Sequence, residues 1–242
     1  MTNRKNTFIS IFIVALTFAF GACSKDDENE AINNNEKTVY SNIHEYVDLG
    51  LPSGTLWATC NVGASKPEEF GEYFAWGETK PKDKYDWSTY KWCDGSYNTL
   101  TKYGFDNGYD KYGIVDNKER LDPEDDAATA NWGVDWCMPS KEQFKELYNS
   151  SYTTTEWKAV NGVNGYMIKS KKNNNTMFLP AAGWCNGTSL EEVRSLGQYW
   201  SSSIGVNGSE GACRLTIYSV RFDSNADYRC YGHSVRPVRV KK

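Results

Sequence analysis

The chain has two histidines in 242 residues, His44 and His233, and no Cys-x-x-Cys pair among its seven cysteines. A zinc centre needs more imidazole or closer thiolates than this, and a thioredoxin-type redox site lacks its motif. No Gly-x-Ser-x-Gly elbow exposes a nucleophilic serine, so a triad of a serine, His233 and an aspartate has no scaffold. No EF-hand loop is present to cage calcium. Positive charge is also short: 27 Lys and Arg face 31 Asp and Glu. No basic stretch interleaved with aromatics occurs, and nucleic acid is not an expected partner. The apolar run Phe8 to Phe20 falls short of the ~20 residues of a membrane span. What is abundant is aromatic surface and flexible backbone, with nine Trp, sixteen Tyr and twenty Gly. Rings with one polar handle suit both a loop-rich core and a binding surface.

The chain divides into three parts. Residues 1–22 carry Arg4 and Lys5, then the apolar run, then Gly21-Ala22 before Cys23, the layout of an exported protein's signal peptide. The end of this segment resembles the bacterial lipobox, which implies that Cys23 is acylated and that lipid holds the protein to a membrane. Residues 23–39 are acidic and Asn-rich without an apolar anchor, and read as a solvated tether. Their acidic start resembles the surface-export signal of Bacteroidota lipoproteins, implying a bacterial outer-membrane protein displayed on the cell surface. Without residues 1–22 the balance is 25 Lys and Arg against 31 Asp and Glu. Residues 40–242 are enough for a single sizeable core. Six cysteines remain there, Cys60, Cys93, Cys137, Cys185, Cys213 and Cys230. They fit either three bridges, which an oxidising compartment permits, or isolated buried thiols.

Within this region the pattern predicts an α+β domain. Tyr46, Leu49 and Leu51, the turn Pro52-Ser53-Gly54, and Thr55–Ala58 read as a hairpin, and Tyr73–Trp76 as a short strand between glycines. Lys80 to Asp126 reads as long ordered loops pinned by aromatics. A helix follows Pro139, with Ser140 and Gln143 as a capping box and Phe144, Leu147 and Tyr148 on one face, ending near Asn149-Ser150. A shorter helix is expected over Pro123–Asn131, with Glu124, Asp125 and Asp126 in its first turn favouring the exposed amide end. Gly165–Ser170 and Thr176–Leu179 flank an exposed turn, and Tyr199 opens a further strand. Leu215 and Ile217 alternate with Arg214, Thr216 and Tyr218, burying one face and displaying the other. Ser234–Val240 closes the sheet, with Pro237 at an edge or irregular position. The expected result is a small, twisted antiparallel sheet with one or two helices and long loops.

Seven strings carry a family resemblance. They are VDLGLPSGTLWATCNVGA from Val47, GEYFAWGE from Gly71, EDDAA from Glu124, WCMPSKEQFKEL from Trp136, FLPAAGW from Phe178, YWSSS from Tyr199 and GHSVRPVR from Gly232. In that order, over Tyr46 to Arg239, they resemble the Fibrobacter succinogenes major paralogous domain family. The resemblance implies a C-type lectin-like fold. The EPN, QPD and WND strings of calcium-dependent sugar sites are absent, so no metal site is carried over and no cofactor is expected. Cys137 stands where the family usually has Arg, and Cys185 where it often has Arg or another polar residue. These two thiols would bridge if their Cα atoms approached within ~7 Å.

Tyr199 to Arg239 also resembles the variable region of retroelement-diversified proteins. That resemblance implies a displayed ligand-binding set: Arg214, Tyr218, Arg221, Asp223, Asn225, Asp227, Tyr228, Arg229 and Tyr231. The leading expectation is a non-catalytic surface module that binds a glycan or a protein. One alternative is a copper oxidase of the formylglycine-generating type, for which Cys213 and Cys230 would be the paired thiols. Another is an accessory or tip subunit of a surface fibre. His233 is expected at a turn or on the surface.

Overall fold

The computed structural model describes residues 44–104, 114–205 and 208–240, all within one compact unit, Ser41–Lys242. The signal peptide, Cys23 and the tether lie outside the described residues, as do Tyr109 and Tyr112.

Pro52-Ser53-Gly54 reverses the chain between β1 (Tyr46–Asp48) and β2 (Thr55–Ala58), with the Gly54 amide donating to the Leu51 carbonyl at 3.0 Å. All four β2 residues are buried, which explains why this strand reads as an unbroken run rather than an alternating one. β3 is shorter than its string, Tyr73–Phe74, and the chain then leaves the sheet. The long loop that follows is held by rings: Tyr85 and Tyr90 are buried and donate from their hydroxyls to the carbonyls of Tyr73 and Trp76.

The short helix comes in two pieces. A 3-10 turn, Pro123–Asp125, precedes α1 (Ala127–Trp132), which Asp126 caps by accepting from the Thr129 amide. The acidic start does lie at the amide end, and Asp125 and Asp126 are also buried there, only 2% and 3% accessible. Asp126 also accepts from the Met138 amide, and Asp125 accepts from Lys102 Nζ and the Tyr103 hydroxyl. These carboxylates staple loops together. α2 (Lys141–Leu147) carries the capping box: Ser140 accepts from the Gln143 amide while Gln143 Oε1 accepts from the Ser140 amide. Phe144 and Leu147 face inward, and the helix ends slightly before the expected Asn149.

The remaining strands are β4 (Thr153–Val160), β5 (Val163–Ser170), β6 (Thr176–Pro180), β7 (Trp184–Asn186), β8 (Ser189–Glu191), β9 (Leu196–Ile204), β10 (Gly211–Tyr218), β11 (Arg221–Tyr228), β12 (His233–Ser234) and β13 (Val238–Val240). They form four small sheets, not one: β1-β2-β13, β11-β10-β9-β12-β3, β4-β5-β6 and β7-β8. All paired strands are antiparallel except β12 against β9. The segment expected to close one sheet is split, with His233–Ser234 in the five-stranded sheet and Val238–Val240 beside β2. Pro237 falls between them, so its missing amide interrupts no ladder. The architecture is a mixed α+β fold with few helices and several small antiparallel sheets.

The five-stranded sheet separates two cores. Tyr199, Leu215 and Ile217 join Trp57, Phe144, Leu147, Ile168 and Val238 in one. Trp200, Ile204 and Ala212 pack with Phe74, Trp76, Tyr103 and Met138 in the other. The alternation along β10 therefore does bury Leu215 and Ile217, with Phe222 packed beside them. The second core does not cover the whole opposite face: residues toward the β10–β11 turn stay open.

Candidate functional site

On β9, β10 and β11 the pairing Gln198↔Thr216↔Asp223 lines up one row of side chains, and Arg214↔Asn225 forms part of the next. With Trp184, Glu192, Ser195, Leu196, Tyr218 and Ser219 these residues line an open groove of about 550 Å³. Four of the sequence-predicted residues, Arg214, Tyr218, Asp223 and Asn225, meet there. Three others stand nearby. Asp227 accepts from Arg214 Nε at 2.9 Å, and Tyr228 and Tyr231 touch one another at 5.7 Å between centroids. Arg221 pairs through its backbone with Tyr218 at the hairpin end.

Arg229 is a correction. It is fully buried, not displayed, because its guanidinium lies between the Trp76 and Tyr90 rings (5.4 and 5.6 Å) and donates from Nη1 to the carbonyls of Lys102 and Tyr103. A cation held over two rings with carbonyl acceptors is a core fastener. His233 is a second correction: it is 0% accessible, tilted against Trp200 with ring centroids 4.0 Å apart, and no turn or surface residue.

Arg214, Asp227 and His233 form the polar corner of the site. His233 Nε2 is 3.5 Å from Asp227 Oδ2, a long polar contact, while Nδ1 contacts the Gly232 carbonyl oxygen at 3.1 Å. Burial lowers the His233 pKa, more than the neighbouring carboxylate raises it, so the ring is neutral at pH 7. Burial also opposes ionisation of Asp227, but His233 and the Arg214 guanidinium outweigh it and hold the carboxyl below its ordinary range. With His233 neutral, Arg214 is the standing counter-charge. Arg214 Nη1 also contacts Thr216 Oγ1, which fixes the guanidinium across the groove.

Sequence reasoning missed Gln198 and Trp184, and it set Thr216 on the displayed face of β10, where the residue is buried, only 6% accessible. Gln198 is 5% accessible, lines the groove, and its Oε1 has no hydrogen-bond partner. A buried acceptor left unmade costs about 1–3 kcal/mol, which marks it for a ligand donor. Its signal was available: one amide set among the buried run Gly197–Ile204. Trp184 touches Tyr231 at 4.9 Å and starts a row of ring contacts through Tyr228, Trp87 and Tyr97, with steps of 5.7, 5.9 and 6.4 Å. Tyr228 and Tyr97 are 47% and 56% accessible, so the row reaches solvent.

The other hollows are less suited. One of about 210 Å³ adjoins the same hairpin at Gly208, Glu210 and Asp227. A cleft of about 730 Å³ beside Trp136, Cys137 and Arg239 includes the Asp126 carboxylate, which two backbone amides already engage.

The six cysteines of the domain are free, so neither Cys137 with Cys185 nor Cys213 with Cys230 forms a bridge. Cys213 Sγ contacts the Ile204 carbonyl at 3.2 Å, whereas Cys230 packs with Tyr85, Tyr90 and Leu100, near Cys93 and Cys185. Burial pushes the thiol of Cys185 up to about 11 and that of Cys230 to about 12, which suppresses the thiolate, whereas Cys137 is exposed. Among the described residues no three His, Cys, Asp or Glu side chains group as a metal cage. Comparison with family models, with curated proteins and with solved structures returned no match for this chain.

Proposed function

We propose that this protein is a non-catalytic binding module, tethered to the outer membrane through lipid on Cys23, that recognises a glycan or protein ligand outside the cell. The observation that carries this reading is the groove on the β9–β10–β11 face. There a buried, unpartnered Gln198 carbonyl, a fixed Arg214–Asp227 pair and hydroxyl and amide groups converge beside an aromatic row. Convergent polar groups in a mostly open, ring-flanked hollow are the ordinary make-up of a recognition site. The C-type lectin-like fold belongs to the same proposal: it rests on the ordered strings from Val47 to Arg239, and the few helices and small sheets are compatible with it. The resemblance of Tyr199 to Arg239 to retroelement-diversified proteins implies residues displayed on a sheet, which fits a groove on β9 to β11.

The anchor has its own test. Metabolic labelling with a fatty-acid analogue should mark the protein, Cys23→Ala should abolish the label, and protease added to intact cells should remove the domain. For the ligand, the full-length protein in detergent is applied to a glycan array and to surface-protein pulldowns. Binding that disappears in Arg214→Ala/Tyr228→Ala supports the reading. Silence on both, from protein with a cooperative melting transition, rejects it.

A further inference from the structure

We propose that the groove takes an uncharged saccharide, with the Gln198 carbonyl as the acceptor for one of its hydroxyls and Trp184 beside its apolar face. This rests on the reading of the groove as a binding site and narrows the ligand's chemistry.

Three observations select that chemistry. First, Gln198 Oε1 is an acceptor without a partner on a side chain that is 95% buried and lines the hollow. The ligand must therefore bring a donor, an O–H or N–H, to a fixed depth. Second, six of the eleven lining residues end in uncharged hydroxyl or amide groups: Ser195, Gln198, Thr216, Tyr218, Ser219 and Asn225. That density of neutral donors and acceptors suits a molecule with many hydroxyls, and Trp184 and Leu196 provide apolar surface for the C–H side of a sugar ring. Third, the charge excludes an acidic ligand. Among the described side chains Arg214 is the lining cation and is already paired with Asp227 at 2.9 Å, whereas Glu192 adds a further carboxylate to the wall. A carboxylate or sulfate ligand would meet net negative charge.

A peptide strand fits less well. The lining side chains rise from the sheet face across β9, β10 and the edge strand β11, so a ligand in the groove meets side chains rather than a strand's backbone ladder. The hollow, about 550 Å³, falls within the roughly 300–1,000 Å³ of small-molecule sites. The row Trp184–Tyr231–Tyr228–Trp87 leads away from it, giving a longer glycan chain a continuation.

The experiment titrates full-length protein in detergent with neutral tetrasaccharides of gluco, galacto and manno configuration, and with uronate and sulfated counterparts. Intrinsic tryptophan fluorescence and calorimetry report binding. Saturable binding of at least one neutral saccharide is expected, weakened tenfold or more by Gln198→Leu and by Trp184→Ala. It should stay within twofold for Arg120→Ala in the other cleft. Gln198→Met provides a variant of nearly the same shape without the acceptor oxygen and should likewise weaken binding, so a folding failure of Gln198→Leu leaves the test intact. Tighter binding of the anionic series overturns the proposal, as does neutral binding indifferent to both Gln198 variants. Capture of a protein ligand at the groove with no saccharide bound overturns this proposal while leaving the binding-module reading standing. Failure of both ligand classes removes both.

Discussion

Removing the Arg214 guanidinium should destabilise the domain far less when Asp227 is removed with it. The two groups meet at 2.9 Å with side chains 15% and 19% accessible. At an effective dielectric of ~20 and charge centres ~4 Å apart, their gross attraction is about 4 kcal/mol. Desolvation takes back much of it, so the pair itself contributes little net stability against neutral packing. Stranding one partner is different. In Arg214→Met the Asp227 carboxylate faces a neutral imidazole 3.5 Å away, and a buried unpaired charge typically costs about 3–5 kcal/mol. Allowing for the residual exposure here, the loss should be about 2–3 kcal/mol. Asp227→Asn should lose about 1–2 kcal/mol, since the amide oxygen still accepts from Arg214. The double variant should lose no more than the worse single one, giving a coupling of at least about 1–2 kcal/mol. Urea unfolding at pH 7.5, followed by tryptophan fluorescence, measures all four corners. Loss of Arg214 also removes a positive neighbour that lowers the His233 pKa, so the imidazole titration read by NMR should move upward. A coupling below about 0.5 kcal/mol, the range of exposed surface pairs, would refute the reasoning.

Gly71→Ala should lose about 2–4 kcal/mol in the same assay, because φ is +71° and a Cβ would sit 2.2 Å from the Val62 carbonyl oxygen. Gly54→Ala, at φ +70° with nothing within 4 Å, should lose only about 1–2 kcal/mol; equal losses would discard the steric argument. Ser140→Ala removes the capping box of α2 and should cost about 1 kcal/mol, read as a lower urea midpoint with unchanged slope. His233 has a folded pKa below its unfolded value near 6.5, so the unfolded chain binds the proton first. Stability is then full above pH ~6.5 and falls as pH drops from there toward the folded pKa. A melting-temperature profile that declines in the native protein and declines as steeply in His233→Asn would sink that assignment. Cys230, 1% accessible with its thiol pushed up to about 12, should resist maleimide at pH 8 until urea unfolds the domain; rapid native labelling at Cys230 would contradict its burial.

Local chemistry was legible where it is self-contained. The Ser140–Gln143 box, the Pro52-Ser53-Gly54 reversal and the Leu215/Ile217 alternation are each decided by residues within a few positions of one another. β4 escaped because both of its faces are largely exposed, which leaves Thr153–Val160 without an apolar beat. β11 escaped as a strand because Asp and Asn, which strands disfavour, fill it. Arg229 and His233 misled for a different reason. Their partners are the carbonyls of Lys102 and Tyr103 and the ring of Trp200, and nothing local announces that a charged or titratable side chain has such company. The site divides the same way. Arg214, Tyr218, Asp223 and Asn225 follow from the hairpin's period, whereas Gln198 and Trp184 enter only through pairings with other strands.

β13 joins the domain's last described residues to its first hairpin, Val238 opposite Trp57 and Val240 opposite Thr55. Trp57 cannot be sheathed on that side until some 180 intervening residues have emerged, so maturation must await nearly the whole polypeptide. A chain arrested before Val238 would present an indole-bearing edge to folding helpers and proteases. Quality control could thus distinguish finished from unfinished copies by that one late clasp.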